Sequence, residues 1–395
     1  MALSDATLGF GREAMTALLG LDQLYRRESG DEDGLAVLNL DTAGEFAGEP
    51  FASYPQASRR FTELRRQAGT LPEPDRQVYY DDLCHSTLAF ITWRERGLPF
   101  DRQLADFLHV PAAPVAEAEL YQLRAALQTL LGRNGYTGDL AAQSAGWESR
   151  HRVPATEIAP ALTRWMTEAW TRTESQLLTI PADPSDGMRV TPVSGMAFNA
   201  RCNYLGRSVE INTDPVLTGP GLKHLAVHEG YPGHYVQFKL RETWYRKGLA
   251  PADVLLSCVN TASSSVFEGI ADAGMTMIDW IASDDDRIQS LQNRHRAAIG
   301  TVAAWRLHAL GHDAGQVGDW LRSVALVGGE GWVANRMAFI SAPARAVLIW
   351  SYWWGEPTVT AAWRDIAPAD RPAWLEFLHN RMHSNRSIAM FRAGN

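Results

Sequence analysis

Residues 228–234 read His-Glu-Gly-Tyr-Pro-Gly-His and contain the residue types that a catalytic zinc site needs. Zinc in such sites is held by three imidazole or carboxylate ligands, and a fourth position stays open to water. His228 and His234 are candidate ligands, and Glu229 stands beside the first of them, where it could accept a proton from that water. The string therefore favours a metal site that activates water.

The spacing between the two histidines differs from the familiar HExxH pattern, whose histidines are four residues apart on one helix face. On a regular helix His228 and His234 would diverge by roughly 120°. Pro232 removes a helix donor, and Gly233 tolerates the distorted backbone that follows. We therefore predict a bulge that returns His234 to the position of an i+4 ligand.

A third ligand is expected from a neighbouring helix. Glu268 lies in an otherwise apolar stretch, where a lone carboxylate is costly to bury unless it is paired or bound to metal. Asp272 follows one helical turn later and is placed to accept a hydrogen bond from a ligand imidazole. The alternative is that Glu268 pairs with an arginine, and that Pro232 and Gly233 simply end a helix.

These residues must be positioned by a mostly helical chain. Residues 189–213 contain alternating and β-branched stretches, which predict a small antiparallel hairpin with Ser208–Thr213 as one strand. This strand is expected to lie at a sheet edge beside the site and to offer backbone groups to an extended substrate. Apolar residues at helical spacing predict helices over residues 74–97, 114–132, 154–178, 219–245, 252–282, 284–312, 315–327, 330–354 and 368–382.

Composition excludes several classes of protein. The chain has 395 residues, of which 46% are hydrophobic and 21% charged, and its net charge of −8 argues against binding to nucleic acid or an anionic membrane. Three scattered cysteines and an N-terminus without a signal-peptide pattern favour a cytoplasmic location. We expect residues 1–180 to form an N-terminal helical region and residues 181–395 the metal-binding catalytic region, within one continuous fold.

The segment 200–356 resembles the DUF885 family of bacterial proteins, which are similar in fold to zinc-dependent carboxypeptidases of the gluzincin type. The family motif HEAxPGHH corresponds to HEGYPGHY at residues 228–235, and its EGWA-type segment corresponds to EGIA at residues 268–271. A family strand that ends in Asn before the helix corresponds to residues 209–212. The resemblance implies a mainly α, metallopeptidase-like body with a small hairpin next to the active-site helix.

The resemblance also assigns roles to individual residues. It implies that His228, His234 and Glu268 are the metal ligands and that Glu229 is the general base. The later motifs of the family are altered, because a DxGLH-like segment reads Ala304-Trp305-Arg306-Leu307-His308 and a PGQA segment reads Pro343-Ala344-Arg345-Ala346, with Ile349 in place of a tyrosine. We therefore expect the metal chemistry to be retained and the substrate to differ.

Further residues are candidates for contact with the substrate. Tyr231 and His308 could donate a hydrogen bond to a developing oxyanion. A guanidinium grips a carboxylate in two places, so an arginine near the site would favour an anionic substrate. The substrate-binding candidates are Tyr204, Asn212, Arg336, Arg345 and Tyr352. The alternative for each tyrosine is a packing role, and for His308 a place on a polar helix face.

The leading interpretation is a hydrolase that uses Zn²⁺-activated water to cleave a peptide or amide bond in a small molecule or short peptide. Two histidines and one carboxylate also form the facial triad of non-haem Fe²⁺ enzymes. A metal-dependent lyase or isomerase of small-molecule biosynthesis is therefore the first alternative. The second is a non-catalytic binding protein on a metallopeptidase scaffold, although such a protein has no physical need for Glu229.

Overall fold

The computed structural model describes residues 3–30, 34–182 and 187–392. It is 66% helical and 6% strand, which confirms the mainly α class predicted from apolar periodicity. Within the described part of the chain, no helix combines the length and the apolar character needed to cross a membrane.

The α-helices are α1 (Asp5–Ser29), α2 (Tyr54–Ala68), α3 (Pro74–Arg96), α4 (Phe100–Gln103), α5 (Glu117–Arg133), α6 (Leu140–His151), α7 (Ala155–Gln176), α8 (Gly219–Leu225), α9 (His234–Arg246), α10 (Ser264–Met277), α11 (Asp284–His308), α12 (Ala314–Val324), α13 (Gly329–Ser341), α14 (Ile349–Asp365), α15 (Arg371–His379) and α16 (Asn385–Ile388). Wider π turns cover Leu104–Leu108 and Ala226–Gly230, and 3₁₀ turns cover Ala252–Leu255, Ala346–Leu348 and Pro368–Asp370. The strands are β1 (Ala36–Asn39), β2 (Arg189–Val193), β3 (Ala200–Asn203), β4 (Ser208–Asn212) and β5 (Leu256–Cys258).

The chain divides into two compact units, each assembled from separate segments. The first unit contains Met1–Ala112, Gln237–Gly269 and Pro357–Asn395, and the second contains Ala113–Val236 and Ile270–Glu356. The division falls inside the continuous helices α9, α10 and α14.

The first unit packs helices around a short two-stranded sheet. Strands β1 and β5 pair antiparallel, with Ala36 opposite Cys258. Two of its buried arginines share one carboxylate, since Asp75 lies 2.8 Å from the Nε of Arg76 and 3.1 Å from Nη1 of Arg381. Removing a guanidinium from water costs free energy, and pairing with a carboxylate offsets that cost.

Two predicted helices outside the His-Glu motif are interrupted. Residues 252–282 form a 3₁₀ turn, strand β5 and only then helix α10, because pairing with β1 extends the backbone and Asn260 adopts a left-handed conformation with φ 57°. Residues 330–354 divide into α13 and α14, with Pro343 in the break, where its ring cannot donate a helical hydrogen bond. In both cases the apolar spacing continues across the break.

The sheet of the second unit corrects the expectation of an edge strand. Strands β3 and β4 form the predicted antiparallel hairpin, with Ala200 opposite Ile211. Strand β2 pairs parallel with the other side of β4, so that the order is β2-β4-β3. Both sides of β4 are occupied, and its backbone groups cannot receive a substrate strand.

Helix α11 anchors the helix that leads into the metal motif. Ser283 caps α11 by accepting a hydrogen bond from the backbone N–H of Asp286. The Nζ of Lys223, on α8, lies 2.9 Å from Oδ2 of the same Asp286 and donates to the carbonyl of Trp280 at 2.9 Å. These buried contacts fix α8, and the residues after it continue directly into the His-Glu motif.

Candidate metal centre

The motif begins in a widened helical turn. Thr218 caps helix α8, because its hydroxyl accepts a hydrogen bond from the amide of Gly221. The helix then continues into the π turn Ala226–Gly230. A π turn adds a residue to one helical turn, and such turns are frequent at functional sites. It contains His228 and Glu229, whose exposed fractions are only 7% and 5%.

The backbone then folds back so that the second histidine returns to the first. The amide of Gly233 donates to the carbonyl of Val227 at 3.0 Å. A Cβ on Gly233 would collide with the carbonyl oxygens of Val227 and His228, so no other residue fits this position without a backbone shift. Helix α9 starts immediately afterwards at His234. The imidazole rings of His228 and His234 meet edge to face, with centroids 4.7 Å apart.

Helix α10 lies against this turn at a glycine. A Cβ on Gly274 would lie 2.6 Å from Cγ1 of Val227 and 3.2 Å from Cδ of Pro232. The missing side chain therefore permits the close approach that brings Asp272 to His228. Oδ1 of Asp272 accepts a hydrogen bond from Nδ1 of His228 at 2.8 Å and lies 3.3 Å from Nε2 of His224.

Asp272 fixes the orientation of the His228 ring. Burial alone would raise the pKa of Asp272, but the charge of His228 and the hydrogen bonds from His224 and His228 hold it well below its usual range. The carboxylate is therefore ionised at neutral pH. When Nδ1 of His228 carries the donated proton, the lone pair lies on Nε2, which is the arrangement found in most metal-ligating histidines.

Glu268 lies one turn before Asp272 on the same helix. Ligand atoms of His228, His234 and Glu268 are all within 4.8 Å of one another. A second group with the same spacing consists of His224, His228 and Asp272. The first group leaves Asp272 as the hydrogen-bond partner of a ligand histidine, whereas the second would need the Asp272 carboxylate for the metal itself.

The donor set of the first group suits a catalytic divalent metal. Two imidazoles and one carboxylate are the ligands of known hydrolytic zinc centres, and they leave a position for water. Glu229 is adjacent without replacing a ligand, since its Oε1 lies 3.9 Å from Nε2 of His228. A metal held by these three residues would therefore have beside it a carboxylate that can take up a proton.

A cavity of about 270 Å³ in the second unit opens onto this motif. Residues of the motif that line it are His228 and Glu229, together with Asp272 and His224. Among the predicted substrate-binding residues, Arg336 and Tyr352 line it as well. A volume of this order suits a small molecule and excludes a folded protein.

Sequence reasoning missed two arginines of this cavity. Arg294 and Arg296 lie on α11 and line the same space. The available signal was a pair of charges immediately before the small, apolar stretch Ala297–Gly300, which is buried. Residues two apart on an α-helix point in different directions, so the sequence alone did not indicate that both arginines reach one cavity.

The remaining predicted residues lie outside the cavity lining. The hydroxyl of Tyr231 is 3.4 Å from the backbone N–H of Met188, from which it accepts, and burial raises its pKa. Its ring packs edge-on against Trp170 at 4.9 Å. The Nε2 of His308 is 2.6 Å from the carbonyl oxygen of Ile340. Both residues thus have a visible structural role.

Three other candidates also have identifiable surroundings. The ring of Tyr204 packs on Tyr235 with centroids 5.5 Å apart. Arg345 precedes the 3₁₀ turn Ala346–Leu348. The fully buried Asn212 donates from Nδ2 to the carbonyls of Met196 and Phe198, at 2.9 and 3.1 Å. Asn212 thereby shapes the loop of residues 197–200, which lines the cavity.

Comparisons with known proteins give a fold and no function. No family model matches the chain, and no curated protein matches it. A solved structure from Colwellia psychrerythraea with a provisional lipoprotein assignment superposes with a TM-score of 0.58 at 12% identity. It covers 86% of this chain, and this chain spans 66% of the Colwellia chain. A protein of unknown function from Shewanella oneidensis, also provisionally assigned as a lipoprotein, gives a TM-score of 0.48 at 12% identity, over 85% of this chain and 70% of its own. This chain is therefore similar in fold to the Colwellia protein.

Proposed function

We propose that this protein is a metal-dependent hydrolase that cleaves a peptide or amide bond in a small substrate. The observation that supports it is the grouping of His228, His234 and Glu268, with their ligand atoms within 4.8 Å of one another. The resemblance of this segment to DUF885 proteins points the same way. A bound divalent metal supplies a Lewis acid that polarises a carbonyl group and lowers the pKa of water.

The chain's own residues perform the remaining tasks. Asp272 holds the His228 ring by its Nδ1 and keeps the other nitrogen directed to the metal position. Glu229 accepts the proton released by the attacking water and delivers it to the leaving nitrogen. The cavity encloses the reacting groups, and its polar lining residues orient the substrate.

The metal assignment is tested by elemental analysis of purified variants. His234→Ala should remove the metal, whereas His312→Ala, at an exposed histidine away from the cavity, should retain it. His224→Ala separates the two candidate groups. If His224→Ala loses the metal and His234→Ala keeps it, the ligands are His224, His228 and Asp272, and the proposal is wrong.

The reaction is tested with a panel of N-acyl amino acids, dipeptides and peptide amides, assayed for release of free amine. Glu229→Gln should keep the metal and lose activity, because the amide cannot accept the proton. Loss of metal in Glu229→Gln would show instead that Glu229 is a ligand.

The same donor set supports a second candidate, a metal-dependent lyase or isomerase, because two histidines and one carboxylate also bind Fe²⁺. Reconstitution of metal-free protein with Zn²⁺ or with Fe²⁺ under anaerobic conditions distinguishes the two. Turnover with Zn²⁺ and release of amine favours the hydrolase.

A further inference from the structure

Two arginines of the cavity lie on the same tryptophan. Arg296, on α11, and Arg336, on α13, place their guanidinium carbons 5.5 and 5.6 Å from the ring centroid of Trp332. Arg336 also lies 5.5 Å from the ring of Phe339. Both arginines line the cavity that contains His228 and belong to the second unit.

No carboxylate of the described chain forms an ion pair with either of these side chains. Neither forms an ion pair or donates a side-chain hydrogen bond within residues 3–30, 34–182 and 187–392, and the Nε atom of each is shielded from solvent. The nearby Glu148 instead accepts a hydrogen bond from the backbone N–H of Gly328. The contacts that the two guanidinium groups make are with aromatic rings, and the charge of Glu148 acts on Arg296 without forming an ion pair.

Three other arginines of the described chain have ion pairs or hydrogen bonds to protein groups. Arg76 and Arg381 share the carboxylate of Asp75, at 2.8 and 3.1 Å. Arg294, which also lines the cavity, donates to the carbonyl of Trp353 at 2.6 Å. The pair formed by Arg296 and Arg336 differs from these three in having neither an ion pair nor a side-chain hydrogen bond.

Electrostatics favours an anion close to this pair. Burial lowers the pKa of Arg296 to about 10, with Glu148 raising it and Arg336 lowering it further, and burial lowers the pKa of Arg336 to about 10. Both remain charged at neutral pH. Two like charges on half-buried side chains are unfavourable, and an anion bound in the cavity would reduce that cost.

We propose that Arg296 and Arg336 bind an anionic group, a carboxylate or a phosphate, of the small molecule that occupies the cavity. The guanidinium presents a planar fork of donors that matches the oxygens of either group. Combined with the proposed function, on which this step rests, the substrate is an acidic amide such as an N-acyl amino acid. The bond to be cleaved would then lie beside Glu229 and the metal ligands.

Binding is measured by isothermal titration calorimetry with N-acetylglycine, its neutral methylamide and inorganic phosphate. The wild-type protein should bind an anionic probe and not the methylamide. N-acetylglycine bound in preference to phosphate identifies a carboxylate site, and the reverse preference identifies a phosphate site. Because a metal also attracts anions, each titration is repeated with His234→Ala protein, in which binding should persist.

Arg296→Gln and Arg336→Gln should each weaken anion binding about 10- to 100-fold, since hydrogen bonds to charged groups are among the strongest in proteins. Arg306→Gln is the matched control, because Arg306 lies on the same helix, packs on Trp320 and does not line the cavity. Arg336→Lys keeps the charge and loses the fork, so it should fall between wild type and Arg336→Gln. It also replaces Arg336→Gln if that variant fails to fold.

Two results would overturn the anion site. One is that no anionic probe binds to wild type or to His234→Ala. The other is that binding is unchanged in both glutamine variants. Neither result bears on metal content or amide hydrolysis, so the anion site and the proposed function fail independently. If the protein binds anions through these arginines but takes up no metal, the anion site is supported and the proposed hydrolase is wrong.

Discussion

Replacement of Asp272 by Asn tests how the metal centre is held together without any need to know the substrate. The hydrogen bond from Nδ1 of His228 to Oδ1 of Asp272 is 2.8 Å long and involves an ionised carboxylate. Hydrogen bonds to charged groups contribute about 1.5–3 kcal/mol. Each 1.4 kcal/mol is a factor of ten, so Asp272→Asn should weaken metal binding roughly 10- to 100-fold.

Competition against a chromophoric chelator at fixed neutral pH measures this change. His224→Ala is the matched control, because it removes the other partner of Asp272, at 3.3 Å, and leaves the bond to His228 intact. It should weaken metal binding far less than Asp272→Asn. Equal metal affinity of Asp272→Asn and wild type would refute the idea that the carboxylate orients a ligand. A larger loss in His224→Ala would show that His224 is itself a ligand.

Three further predictions concern catalysis, folding and pH. Glu229→Gln should lower the rate of amide cleavage by about 10²- to 10⁴-fold with unchanged metal content, as measured by amine release and elemental analysis. Gly233→Ala should lower the free energy of unfolding by about 2 kcal/mol or more in urea titrations and reduce metal content, because its Cβ would collide with the carbonyls of Val227 and His228. Burial lowers the pKa of His295 and His379 to about 3, so that below about pH 6.5 the unfolded chain binds protons that the folded chain does not. Urea unfolding should therefore show stability falling from pH 6.5 towards pH 3, and His295→Gln should reduce that slope; an unchanged slope would contradict the role given to His295.

The helices were predictable because their apolar spacing reflects burial on one side. Helix α3 occupies Pro74–Arg96 and helix α7 occupies Ala155–Gln176, close to the predicted ranges 74–97 and 154–178. The return of His234 was also predictable, since Pro232 and Gly233 have backbone properties that are local and visible in sequence. Local chemistry is therefore where sequence reasoning was most informative.

What could not be predicted depends on partners distant in the chain. Strand β5 is extended by pairing with β1, whose Ala36 is opposite Cys258, and nothing within residues 252–282 indicates that partner. The parallel pairing of β2 with β4 likewise decides that Ser208–Asn212 is a central strand. Arg296 became a candidate only when the fold placed it on Trp332 and against the cavity.

The folded-back turn at Gly233 affects how related centres can be found in other sequences. The bond between the Gly233 amide and the Val227 carbonyl allows two extra residues between the histidines, yet their rings still meet at 4.7 Å. A search that requires a fixed interval between ligands would pass over this chain. A search should instead accept a longer interval when a glycine directly precedes the second histidine, as Gly233 precedes His234. Such a rule takes account of the backbone conformation between two ligands as well as the number of residues that separate them.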